Sequence, residues 1–137
     1  MSYKDGLHLV VKKDCPTCAL IEPIIHMLSK SENLAVYVQD DPAYLAELAI
    51  QQDDTTLENS FHLDIETVPT LLSFEGGKET GRAIGWHQSE WQDLTGIKSL
   101  GQDLPQWQPG CGSKSVQPGL VEALRVRFGE TQIMSRS

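Results

Sequence analysis

The stretch that decides the fold is Leu7-His8-Leu9-Val10-Val11-Lys12-Lys13-Asp14-Cys15-Pro16-Thr17-Cys18-Ala19-Leu20-Ile21-Glu22-Pro23. Leu7–Val11 is apolar and rich in β-branched residues, which predicts a short buried strand. From Cys15 to Lys30 the apolar positions Leu20, Ile21, Ile24, Ile25 and Leu28 recur at helical spacing. Pro16 falls in the first turn of that helix, where a missing N–H costs nothing. Pro23 falls inside it and predicts a kink. A pair of cysteines, three apart, therefore sits where a strand turns into a helix.

Working outward, Leu34–Val38 reads as a second strand. Asp41-Pro42 reads as a helix cap and first residue, predicting a helix from Ala43 to about Gln52. Leu57 and Phe61 are four apart and predict a short helical piece over Thr55–Phe61. Thr70–Phe74 and Thr80–Ile84 read as strands joined by the turn Glu75-Gly76-Gly77-Lys78. Ser89–Leu94 begins a last helix. The order β-α-β-α-β-β-α predicts an α/β fold with a mixed four-stranded sheet in a three-layer α/β/α arrangement.

Residues 1–97 thus form one domain. Residues 98–137 read as a C-terminal extension with a loop and a short helix. Its first part holds Gly101, Gly110, Gly112, Gly119, Pro105, Pro109 and Pro118. Leu120, Val121, Leu124 and Phe128 then mark one face of the helix.

The chain has 137 residues and net charge −8. Acid is concentrated in Asp40, Asp41, Glu47, Asp53, Asp54, Glu58, Asp64 and Glu66, with no Lys or Arg among them. Such a run reads as a solvated face and repels phosphate backbones, arguing against nucleic acid as a partner. The run Leu7–Val11 is too short for a membrane span. Lys12, Lys13 and Asp14 follow it directly, with no small-residue cleavage site. The expectation is a cytoplasmic protein with reduced thiols. In that setting a CxxC pair is redox-active or metal-binding rather than structural.

The chemistry of Cys15 and Cys18 follows from their place. The thiolate is the reactive form of cysteine, and a helix start favours the anion. Lys12 and Lys13 could add to that effect. The expectation is an outward-facing attacker, Cys15, and a sheltered resolver, Cys18. Cys15 opens a substrate disulfide into a mixed disulfide, and Cys18 then displaces the product. The same spacing also serves zinc, with Cys111 and a histidine as further ligands.

The run Cys15-Pro-Thr-Cys18-Ala-Leu-Ile-Glu-Pro23 resembles the active-site helix of the thioredoxin-like family. Val68-Pro69-Thr70 is similar to that family's cis-proline loop, Phe74-Glu75-Gly76-Gly77-Lys78 to the hairpin after it, and Ala83-Ile84-Gly85 to its third active-site loop. The resemblance runs from about Leu7 to Ile97. It implies a thioredoxin-like fold and thiol–disulfide exchange with protein disulfides, with Cys15 as nucleophile and Cys18 as resolver. It implies a cis-Pro69 beside them, and a backbone at Val68 that pairs with an extended substrate strand. Thr70, Gly85 and Trp86 complete the implied substrate-binding set. No cofactor motif such as GxGxxG is present, so electrons would come from a separate reductase. The alternative is a non-catalytic, redox-sensitive interaction module of the same fold. There are departures: Asp14 stands where the family has tryptophan, Leu9 where it has a buried aspartate, and Ala35 where it has a lysine. Without that aspartate, the proton of Cys18 must pass to water or another group.

Several other residues carry weaker signals. Trp86 either contacts substrate or packs on the last helix. His87 is a candidate for the missing base, or an idle surface group. His8, His26 and His62 read as packing or surface residues, and Phe61 as core near the cis-proline loop. Cys111, in Pro109-Gly110-Cys111-Gly112-Ser113, is an accessory redox candidate that could pair with Cys15, link two chains or meet a reductase. The extension either docks on the domain or joins a homodimer.

Overall fold

The computed structural model describes residues 3–31 and 33–129. A five-stranded mixed sheet runs through it. β1 (Gly6–Val11) lies at the centre, with β2 (Leu34–Val38) parallel on one side and β5 (Thr70–Glu75) antiparallel on the other. β3 (Gln51–Asp53) adds parallel to β2, and β6 (Lys78–Ile84) antiparallel to β5 through the predicted Gly76-Gly77 turn. The order is β3-β2-β1-β5-β6, so the expected four strands are five. The extra strand is three polar residues, whose pattern carries no strand signal, and backbone pairing with Val36–Val38 makes it one.

Two helix expectations change. The predicted helix from Cys15 is two pieces, α1 (Pro16–Leu20) and α2 (Glu22–Ser31), which break at Ile21. Pro23 therefore lies in the first turn of α2 rather than mid-helix, where its missing N–H is tolerated. The helix expected over Ala43–Gln52 is a series of turns instead. Leu45 takes a positive φ of 59° there to bury its side chain. α3 (Glu58–His62) and α4 (Gln88–Thr95) fall close to expectation.

One continuous core joins Leu9, Val10 and Val11 of β1, Ile21, Ile25 and Leu28 of the helices, Val36 and Val38 of β2, Leu71 and Leu72 of β5, and Trp86 and Trp91. Each fully buried aliphatic side chain contributes roughly 1.5–3 kcal/mol to that association.

The C-terminal extension lies on the domain. Two short ribbons tie it down. β7 (Trp86–His87) pairs with β8 (Trp107–Gln108), and β4 (Thr67–Val68) pairs with β9 (Cys111–Gly112). Farther on, α5 (Pro118–Leu124) and the turn Arg125–Gly129 close a second apolar cluster, in which Leu124 and Phe128 meet Leu57, Phe61 and Leu120. The terminal residues 130–137 lie outside the described range. Among the described residues no helix is long and apolar enough to cross a membrane.

Candidate active site

Cys15 caps α1. Its backbone is extended (φ −159°, ψ 109°), and its sulfur accepts the backbone N–H of Cys18 at 3.2 Å. Pro16 follows at the first helical position, so the sequence Cys-Pro pre-sets the turn. The loop before it is held by Asp40, whose carboxylate accepts the backbone N–H groups of Lys13 (2.7 Å) and Asp14 (3.0 Å). The peptide bond between Val68 and Pro69 is cis, as the resemblance implied. The Cys15 sulfur lies 3.6 Å from the Val68 carbonyl oxygen. Gly85 N–H donates to the Pro69 carbonyl at 2.8 Å. The CPTC turn, the cis-proline loop and the Gly85 loop thus meet at one place.

The two thiols are pushed apart in acidity. The Cys18 thiol, hydrogen-bonded to the Cys15 sulfur, leads in pulling the Cys15 pKa down to about 6, with help from Cys111 and the backbone N–H groups of Cys18 and Thr17. Burial opposes this but loses. Burial pushes Cys18 up, and the neighbouring Cys15 adds to that rise. Cys15 is thus the more acidic thiol and Cys18 the less, the order that an attacker and a resolver require. Lys13 pairs with Asp41 at 3.4 Å, and the Lys12 ammonium donates to the Gly112 carbonyl at 2.8 Å.

Cys15 is not outward-facing. It is only 3% exposed, and the β9 segment of the extension pairs with Val68, whose carbonyl lies 3.6 Å from the Cys15 sulfur. Thr17 Oγ1 donates to the Pro109 carbonyl at 2.6 Å. A Cβ on Gly110 would clash with the Val68 carbonyl, and one on Gly85 (φ +70°) would press on Gly110 N at 3.0 Å. Both glycines permit a backbone approach that any side chain would block. Cys111 sits opposite Val68 in the ribbon and is half-buried, and its thiol interacts with Cys15.

The remaining predicted positions separate. Thr70 is buried, its hydroxyl donating to the Thr67 carbonyl at 2.7 Å. Trp86 is fully buried and packs on the last helix, the second of the two roles its sequence context offered. Its indole N–H donates to Pro105 O at 2.6 Å, and its ring meets Trp91 edge-on at 5.2 Å, so it holds the extension to the core. His87 turns toward Ser89 and Glu90 on α4, and no hydrogen bond or ion pair ties it to the cysteines. His8 is a buried packing residue, bonded to the Tyr37 hydroxyl and the Lys4 carbonyl. Among the described residues no group of three or more His, Cys, Asp or Glu is arranged to hold a metal ion.

Sequence reasoning missed a buried polar network behind the site. Asp54 reads as part of a solvated acidic face but is 1% exposed, its carboxylate accepting from the backbone N–H of Asn59 and from both the N–H and the hydroxyl of Ser60. Gln39 donates to Ser60 Oγ (2.8 Å) and Ser113 Oγ (2.7 Å), and its carbonyl accepts the Lys114 N–H at 3.0 Å. Ser115 Oγ bonds Ser113 Oγ and donates to the Ile65 carbonyl. Among the described residues no buried side-chain polar atom lacks a partner. The only signal in the sequence was the serine spacing after Cys111. No protein-family model matches the chain, and no curated protein matches it significantly.

Proposed function

We propose that the chain is a thiol–disulfide oxidoreductase of thioredoxin-like fold that exchanges electrons with protein disulfides through Cys15 and Cys18. The observation that carries this reading is geometric: at one helix start the Cys15 sulfur accepts the Cys18 N–H at 3.2 Å and lies 3.6 Å from the carbonyl that precedes a cis-proline. The directions of the two pKa shifts, Cys15 down and Cys18 up, agree with it. The strand order, with the CPTC turn after the central strand and a cis-proline loop against it, supports the fold assignment.

The Cys15 thiolate attacks a substrate sulfur and expels one thiolate. Cys18, deprotonated as the mixed disulfide forms, attacks Cys15 and expels the second. Leu9 leaves no buried carboxylate beside Cys18, so its proton passes to water or to the departing thiolate. A separate reductase would return the Cys15–Cys18 disulfide to the dithiol. The expected setting is the reducing cytoplasm, without nucleic acid or membrane as partner.

One observation favours a second reading, a redox-sensitive interaction module: Cys15 is buried, and the chain's own extension already pairs with the Val68 edge beside it. Insulin reduction by dithiothreitol separates the two. The wild-type protein should accelerate it and Cys15→Ser should not. Equal rates for the two would discard the oxidoreductase reading.

A further inference from the structure

The ribbon between Val68 and Cys111 has the form of an enzyme–substrate strand pairing made within one chain. An extended segment adds to an exposed edge through main-chain hydrogen bonds, and its side chains are thereby placed in register. Here the edge is β4, the added segment is β9, and the residue opposite Val68 is a cysteine. The Cys15 sulfur lies 3.6 Å from that same Val68 carbonyl oxygen. Three clamps hold the segment: Thr17 on Pro109, Lys12 on Gly112 and Gln39 on Ser113. Cys15 is only 3% exposed, while Cys111 on the paired segment keeps a half-exposed position. A thiol or disulfide from solution therefore meets Cys111 before Cys15.

Resting on the oxidoreductase reading, we propose that Cys111 is a third redox cysteine, the entry point through which an external disulfide passes its oxidation to Cys15 and then to Cys18. The Cys111 thiolate attacks an external disulfide RSSR and releases RS⁻, leaving Cys111–S–S–R. The Cys15 thiolate attacks the Cys111 sulfur and releases the second RS⁻, forming a Cys15–Cys111 disulfide. Cys18 attacks Cys15 and releases Cys111 as thiolate. Two thiols, Cys15 and Cys18, become one disulfide, RSSR becomes two RSH, and Cys111 returns unchanged. The protons of the two thiols end on the two RS⁻ groups. The steps run in reverse when an external thiol reduces the protein. Burial and the neighbouring Cys15 raise the Cys111 pKa, while Lys12 opposes the rise. This makes the first step the slow one near neutral pH.

The test uses the full chain and glutathione disulfide as the oxidant. Reduced Cys18→Ser protein is mixed with it, alkylated, and mapped by peptide mass spectrometry. A Cys15–Cys111 disulfide within one chain is expected to accumulate, since the step that resolves it is gone. In a second arm, Cys111→Ser should slow formation of Cys15–Cys18 by about tenfold or more, because the buried Cys15 loses its intermediary. Glutathione on Cys15 with Cys111 free, disulfides between chains at Cys111, or wild-type or faster oxidation of Cys111→Ser would each overturn the relay. The last of these would mean that the segment is only a cover. Those outcomes leave the oxidoreductase reading standing. Wild-type protein that never forms Cys15–Cys18 overturns both.

Discussion

Thr17 and Pro109 are joined across 92 positions of chain by a 2.6 Å hydrogen bond, from the second residue of α1 to the carbonyl two residues before Cys111. That bond fastens the extension directly onto the dithiol turn. The same buried threonine lies between the two cysteines in sequence, so the strap and the redox pair share one helix.

Removing this bond should loosen the strap. Thr17→Val keeps the shape and leaves the Pro109 carbonyl without its donor, at a cost of about 1 kcal/mol. Gly110→Ala acts harder, because its Cβ would meet the Val68 carbonyl. Both variants should raise the rate at which iodoacetamide alkylates Cys15, Gly110→Ala the more. Unchanged rates would show that the segment does not control access.

The thiolate of Cys15 should be visible by ultraviolet absorbance, with a midpoint near 6 in reduced protein. Cys18→Ala should shift the midpoint upward, since the Cys18 thiol is its leading cause, and Cys18→Ser should shift it less. The sign of the linked stability follows. A folded pKa below the unfolded value of about 8.5 gives stability present above that value and lost as pH falls through about 6. Denaturant titration of reduced wild-type protein should show stability rising from pH 6 to 8, and Cys15→Ser should lack that component.

Asp54 should matter to stability despite its place in an acidic stretch. Asp54→Ala strands the backbone N–H groups of Asn59 and Ser60. Each buried donor left unmade costs about 1–3 kcal/mol, so a loss of ~2 kcal/mol or more is expected in urea unfolding. A change within about 0.5 kcal/mol, the range of an ordinary surface substitution, would contradict the burial.

The link between Gln39 and Ser113 should couple the extension to the core. Ser113→Ala removes an acceptor for Gln39 and a partner for Ser115, at a cost of about 1–3 kcal/mol. A double-mutant cycle with Gln39→Ala should give a coupling of at least ~0.5 kcal/mol. Additive effects would mean that the two do not act through one network.

Much of the fold was legible because its signals are local. The apolar run at Leu7–Val11, the cysteine-proline turn and the Gly76-Gly77 hairpin each state their own geometry within a few residues. The turns over residues 43–50 were misread because Asp41-Pro42 is a helix start only if the following residues gain by continuing it. Burying Leu45 favoured a turn instead. β3 was invisible because three polar residues become a strand only through a neighbour's hydrogen bonds. Asp54 reads as surface because charge patterning does not register the N–H groups of Asn59 and Ser60 that donate to its carboxylate.

The sequence by itself determined that Cys15 and Cys18 stand at a strand-to-helix turn, that a proline loop and a glycine loop follow in order, and that a third cysteine lies beyond them. Only the tertiary structure decided that the third cysteine comes back to the first two. Short-range spacing fixes which side chains share a turn of helix. Pairing between β4 and β9 depends on Gly110 and Gly85 allowing two backbones to approach, and on a buried hydrogen-bond network holding the extension down. Those conditions are met by residues about 25 to 75 positions apart, a distance at which local sequence pattern no longer constrains contact.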